Sequence, residues 1–322
     1  MAESRSVVIA ALIANGSIAV MKFVGYLLTM SPAMLSETYH SISDTGNQVF
    51  LLIGLRYGAQ EADRQHPFGY GKAQFFYSFL VSVMLFGVAG LESARHGYDA
   101  LMHGSHATMG QTPPLPVVGA VDGIYVNYTV LLGAIVFESW ALKKAYEGIS
   151  AQMEEYEWES LREAFTKTSD VTTLTALTED AVALAGAGIA LFGVYLSRTT
   201  GNEVYDAGAA LIIGVLLMAF AVALAWQNKR LLLGESLSPE AEGELREIVA
   251  NADVVREVVD FRTVYFGAEE LLVTADVVFE SDVDALDERI AEIEDSLKAH
   301  DGQVQRVYLE PDTGGNTADF TG

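Results

Sequence analysis

The sequence predicts an all-α polytopic membrane domain of six transmembrane helices, followed by a small cytosolic α+β domain. Composition is the first reason: 51% of the 322 residues are hydrophobic, and the mean hydropathy is +0.26. The apolar residues gather in blocks of about twenty, the length that crosses a bilayer as a helix. The second reason is a change of pattern at Ser238, after which short helical and β-branched runs alternate. The third is the placement of basic residues. Arg5, Arg56, Arg64, Lys72, Lys143, Lys144, Arg162, Lys167, Lys229 and Arg230 fall on one side of six spans, whereas the opposite loops hold little beyond Arg198. By the positive-inside rule this makes a multi-pass protein of the cell membrane with both termini cytosolic. The expected domains are a transmembrane domain over 1–237, a cytosolic domain over 238–311 and a disordered tail over 312–322.

The first apolar run, Val7 to Leu28, contains Asn15 and Lys22. Both are costly against lipid, so they are expected to face the bundle, with Lys22 pairing with a carboxylate or snorkelling. A brief turn at Ser31 and Pro32 makes an antiparallel hairpin with the second helix, Met34 to Tyr57. AQEADRQHPFGYGK is a polar membrane-edge loop, in which His66 reads as a loop histidine. The third helix is expected over Gln74 to Leu101, and the Gly- and Pro-rich stretch after it, with His103 and His106, reads as a solvated loop. The fourth spans Val117 to Leu142 with Glu138 near its end, and the charged stretch from Lys143 to Asp170 reads as a cytosolic linker. The fifth covers Val171 to Leu196 and the sixth Val204 to Trp226.

Beyond Ser238 the helix-start signals are a Ser cap, Pro239 in the first turn and carboxylates just after it. VREVVDFRTVYF and LLVTADVVFE flank the short turn GAEE as a hairpin. DALDERIAEIEDSLKAH is an amphipathic helix with Leu286, Ile290, Ile293 and Leu297 on one stripe, and QVQRVYLEP is a last strand. The order α-β-β-α-β makes a small helix-on-sheet domain.

The formal charge of −24, from 43 acidic against 19 basic residues, runs against nucleic-acid or anionic-lipid binding. Such an acid excess suits a cytosol of high salt, where charges are screened over about 3 Å at 1 M, and points to a halophilic prokaryotic source. Cysteine is absent, which excludes disulfides and thiolate metal sites. The opening stretch has no small-residue cleavage site after a short apolar core and reads as the first membrane helix, not as a signal peptide.

Chemistry concentrates in SETYHSISDTGNQ, residues 36–48 of the second helix. His40 and Asp44 lie four residues apart and project from one helix face, an imidazole and a carboxylate that can hold one divalent cation. Asn47 falls on the same face two turns on. Ionisable groups at membrane depth are costly and mark ion or proton paths. Against this stands the plainer reading that the pair only makes helix-packing hydrogen bonds. In the fifth helix Glu179 and Asp180 are adjacent, about 100° apart, so at most one faces a given partner squarely.

These residues resemble the cation diffusion facilitator family. The similarity is carried by NGSIAVMKFVGYLLTMSPAMLSETYHSISDTGNQ, by HPFGYGK ahead of the third helix and by TEDAVALAG in the fifth, and it covers nearly the whole chain. The resemblance implies a ferredoxin-like terminal domain and a homodimeric exporter that exchanges a divalent cation, often zinc, for protons. It also implies a four-ligand site from the second and fifth helices. His40 and Asp44 match the second-helix pair and Asp180 the later carboxylate of the fifth. Where many members place His or Asp four residues earlier, this chain has Ala176, and its Glu179-Asp180 pair looks like the branch containing zinc transporter nine. The expected metal residues are therefore His40, Asp44, Asp180 and Glu179. Zinc is the first expectation for the transported cation, with manganese, cobalt or iron next because the set is poor in nitrogen.

The expectation is thus a cation/proton antiporter, not an enzyme, with no resident cofactor and with cation, protons, membrane lipid and a second copy as partners. The alternative is a membrane receptor or scaffold whose buried charges only orient helices. An intramembrane metalloenzyme would need a base beside an open metal position, for which Glu179 is the nominal residue.

Overall fold

Helix boundaries follow the punctuation of the sequence. In a computed structural model describing residues 2–104, 122–155, 160–161, 164, 171–267, 270–280 and 285–312, α1 runs Ala2–Thr29 and α2 Pro32–Gly58. Between them Met30 adopts a positive φ of 53°, and Pro32 occupies the first helical position, where a missing N–H costs nothing. Asp206, from α7 (Val204–Leu233), closes the turn: its Oδ1 accepts from Ser31 Oγ at 3.0 Å and from the Ala33 N–H at 3.3 Å, satisfying donors at the start of α2.

The third predicted span is longer than expected and not uniform. It comprises α3 (Ala73–Met84), a π-helical stretch Leu85–Gly90 and α4 (Leu91–His103). The wide turn contains Gly87 and Gly90, and sequence periodicity carries no mark of such a one-residue excess. The fourth helix, α5, covers Gly123–Glu155, so the charged stretch expected as a linker after Leu142 continues as helix over its first thirteen residues. Hydropathy falls there because the helix is solvated, not because it ends, and Ile149 still packs with Ala164 and Leu177. The predicted start at Val117, His106, most of the stretch 156–170, the centre of the GAEE turn and nearly all of the tail lie outside the described residues. The fifth helix, α6, runs Val171–Thr200.

By length and composition, four helices among the described residues can cross a membrane: Ala73–His103, Gly123–Ala151, Leu177–Thr200 and Val204–Leu233. Large apolar side chains such as Val136, Phe192, Ile212 and Val222 stand exposed on their outer faces, as a lipid solvent requires.

The chain divides into two compact units, Met1–Leu52 with Ser78–Trp226, and Ile53–Tyr77 with Gln227–Gly322. In the first, helices meet through small residues. A Cβ on Gly97 of α4 would stand 2.9 Å from the Ala207 carbonyl oxygen, and one on Gly214 of α7 would collide with Ala94. Close backbone approach of this kind is how helices associate when lipid removes the hydrophobic drive between them.

The second unit is built on a sheet of order β1-β2-β3, with β1 Val255–Gly267, β2 Glu270–Phe279 and β3 Val304–Pro311. β1 pairs antiparallel to β2 (Phe261 opposite Ala275), while β3 pairs parallel to β2 (Val307 opposite Val273) after a crossover through a helix. Leu271, Val273, Ala275 and Val277 alternate into a core with Leu245 and Val249 of α8 (Pro239–Ala250) and Ile293 and Leu297 of α9 (Leu286–His300). Ser238 caps α8 by accepting from the Ala241 N–H, as its sequence signals require. The same unit contains the HPFGYGK loop. Asp63 gathers the N–H groups of His66 at 2.6 Å and Gln65 at 2.8 Å and the Tyr70 hydroxyl at 2.8 Å, which holds its carboxyl below the usual carboxylate range. Arg306 stacks over Phe68 and Phe266, and a Cβ on Gly71 would meet the Phe266 carbonyl at 2.6 Å. The motif is therefore a packing element against the sheet.

The glycine contacts give a direct test. Gly97→Ala should destabilise the purified protein by about 1–3 kcal/mol, because the new methyl meets backbone that cannot swing aside. Gly188→Ala has nothing within 4 Å and should be neutral or mildly stabilising. Thermal unfolding in detergent measures both, and equal midpoints for the two variants would remove close backbone packing at Gly97 from the account.

Candidate metal site in the membrane helices

Helix periodicity stacks Glu37, His40 and Asp44 on one face of α2, three and four residues apart. The buried part of α2 is its first ten residues: Glu37 is 0% exposed and His40 1%. His40 Nε2 lies 3.5 Å from Asp44 Oδ1, and neither imidazole nitrogen has a hydrogen-bond partner among the described residues. Three residues past Asp44 toward the loop, Asn47 Nδ2 stands 3.4 Å from both carboxylate oxygens of Glu179 on α6. Asp180, next along α6, is half-buried. At the other end of the stack, the position a Cβ would occupy on Gly186 of α6 is 2.6 Å from Glu37 Oε1 and 3.7 Å from His40 Nδ1. So α2 and α6 run antiparallel here, with residue 179 level with Asn47 and residue 186 level with Glu37.

Two further helices add charge. Lys22 of α1, 1% exposed, donates to Glu37 Oε2 at 2.8 Å, so it pairs and does not snorkel. Glu138 of α5 is buried and interacts electrostatically with Lys22, His40 and Asp180. The structure thus brings His40 beside Asp44 and Glu179 beside Asn47. It does not draw all four expected residues onto one point: no group of three His, Asp or Glu among the described residues is arranged to hold a metal. Side-chain rotation is needed before donors reach the ~2.0–2.2 Å that a zinc ion requires of nitrogen and oxygen. The side chain of Ala176 lies outside the described residues.

Sequence reasoning missed Glu37. A glutamate in a helix attracts no notice, and the signal that could have found it was its spacing of three from His40 together with a lone lysine on the preceding span.

The residues 8–233 match the cation efflux transmembrane domain family. Over 277 residues the chain is 30% identical to the human mitochondrial proton-coupled zinc antiporter SLC30A9, covering 86% of this chain and 46% of that protein. It is 26% identical to metal tolerance protein C4 of Arabidopsis thaliana, over 86% of this chain and 57% of that one. A match of 26% to the cation-efflux pump FieF of Cronobacter sakazakii covers 81% and 76%. The chain spans about half the length of the first two of these relatives.

The Lys22–Glu37 pair gives a stability prediction. Lys22→Met leaves a buried carboxylate without its cation and should cost about 3–5 kcal/mol, whereas Lys22→Met with Glu37→Gln should recover most of that loss. Denaturation of purified Lys22→Met, Glu37→Gln and the double variant checks it, and additive costs would mean that the two side chains do not depend on each other.

Proposed function

The chain belongs to the cation efflux family, in the zinc transporter nine-like branch, and from that membership we infer that it is a zinc exporter working as a cation/proton antiporter. The observation that carries this reading is the His40–Asp44 pair on α2, its histidine buried, with Glu179 and Asp180 adjacent in sequence on α6. Family membership sets aside the metalloenzyme and scaffold readings. Zinc and proton coupling are what the name of the human relative prints, and the donor set agrees with them: one imidazole and carboxylates suit zinc, with manganese, cobalt and iron as competitors. Only the neutral imidazole of His40 binds metal, so proton and cation exclude each other at this residue and occupancy by one expels the other.

In this reading α1, α2, the α3–α4 rod, α5, α6 and α7 are six spans with both termini cytosolic. The terminal domain is ferredoxin-like, and two copies meet through it. α1 and α2 span despite their polar residues because those residues face the bundle. His40, Asp44, Glu179 and Asp180 turn toward the ion as it enters. Asn47 holds Glu179 toward α2, which favours Glu179 and Asp180 as alternating donors over a fixed division of roles.

Reconstituted vesicles with a pH dye inside test the site. His40→Ala and Asp44→Ala should each lower zinc-driven proton flux at least ~100-fold while leaving a folded protein, each having removed a donor from a sparse set. Glu179→Gln and Asp180→Asn should each lose about 10–100-fold. Unchanged flux in His40→Ala would refute the assignment. For the dimer, light scattering of residues 1–237 against the full chain is expected to give monomer and dimer respectively, and a truncated chain that stays dimeric would locate the contact elsewhere.

A further inference from the structure

Resting on the assignment of His40 as a cation ligand, we propose that Glu37, anchored by Lys22, is the positioning residue that fixes the tautomer of His40. Three observations meet at one gap. Glu37 uses Oε2 for Lys22 at 2.8 Å, while its Oε1 is buried with no hydrogen-bond partner among the described residues. His40 Nδ1 is likewise buried and unpartnered. Both atoms border the space that the absent side chain of Gly186 leaves open, Oε1 at 2.6 Å and Nδ1 at 3.7 Å from the position of its missing Cβ. The other ring nitrogen, Nε2, faces Asp44 at 3.5 Å.

An imidazole that binds a cation through one nitrogen carries its proton on the other, and a carboxylate accepting that proton's hydrogen bond holds both tautomer and ring orientation. In the proposed arrangement Glu37 Oε1 closes on His40 across the Gly186 gap and accepts from its Nδ1–H, which leaves the Nε2 lone pair on the Asp44 side for the ion. Lys22 sets the polarity of the arrangement. Its ammonium only donates, so it claims one carboxylate oxygen and leaves the other, an acceptor only, toward the histidine. The remaining charged groups around the ring, Asp44 on its own helix, Glu138 on α5 and Glu179 on α6, are not among the atoms nearest this gap. Gly186 is thereby a functional glycine, because a methyl group there would stand between acceptor and donor.

Glu37→Gln separates this role from mere packing. Gln keeps the shape, but Lys22 draws the amide oxygen to itself, so the amide NH2 turns to His40 and donates. Nδ1 then becomes the acceptor and the ring proton moves to Nε2. Metal-free full-length protein, labelled with nitrogen-15 histidine in bilayers and with the His40 signals assigned by their loss in His40→Ala, should show Nδ1 protonated in the wild type and Nε2 protonated in Glu37→Gln. Titrated with zinc chloride, Glu37→Gln and Gly186→Ala should each bind about 10–100-fold more weakly. Adding Lys22→Met to Glu37→Gln frees the amide to rotate its oxygen toward Nδ1, and zinc affinity should recover toward wild type. An unchanged tautomer in Glu37→Gln, or no recovery in the double variant, overturns the proposal. Should His40→Ala bind zinc as the wild type does, it is the ligand assignment that has failed, and the tautomer signals still report on Glu37 independently.

Discussion

Lys22 reaching Glu37 at 2.8 Å in the interior of the helix bundle is the interaction on which the rest of the membrane unit depends. An ammonium group or a carboxylate alone at that depth costs several kcal/mol, and the two together are tolerated because each answers the other. The pairing uses up the fixed positive charge that Lys22 brings. Asp44, Glu138, Glu179 and Asp180 are then carboxylates among packed helices, where an unbalanced negative charge is costly. On the proposed reading, a divalent cation and protons are alternative ways of meeting that cost.

Such a cluster can exist only if the surrounding helices hold their places without help from hydrophobic collapse, which lipid does not supply. Close backbone contact does this work. Gly97 against Ala207, Gly214 against Ala94 and Gly193 against Ala209 allow α4, α6 and α7 to approach each other, and Asp206 ties the start of α2 to α7. The polar stretch of α2 is fixed at its N-terminal end by that cap and along its length by α6. His40 is placed by rigid elements and not by a loop, as a site with one imidazole needs.

How much of this was legible in the sequence depended on whether a feature had a local signature. Four membrane-length helices among the described residues announced themselves as apolar blocks, α8 by Ser238 and Pro239, and the sheet by β-branched alternation that the core of Leu271, Val273, Ala275 and Val277 bears out. His40, Asp44 and Asn47 could be placed on one face by counting. The π-helical turn at Leu85–Gly90 could not, since it reflects how one helix seats against others and not any residue preference. The run of α5 to Glu155 was hidden for a different reason: a solvated helix and a charged linker have the same composition. Glu37 was illegible because its meaning lies in partners on α1 and α6, fifteen residues before it and nearly 150 after it.

The looseness of the site follows from the same physics. A structural zinc site gathers its donors before the ion arrives and releases it with difficulty. A carrier must bind well enough to load and weakly enough to unload. No three of His40, Asp44, Glu179 and Asp180 converge among the described residues, so on the proposed reading part of the binding free energy is expended in turning side chains inward. What is held rigid instead is the surrounding frame, Lys22, Glu37, Asn47 and the glycine-lined helix contacts. On the proposed reading, a bundle that fixes the neighbours of its ligands while leaving the ligands free to turn is suited to releasing a cation.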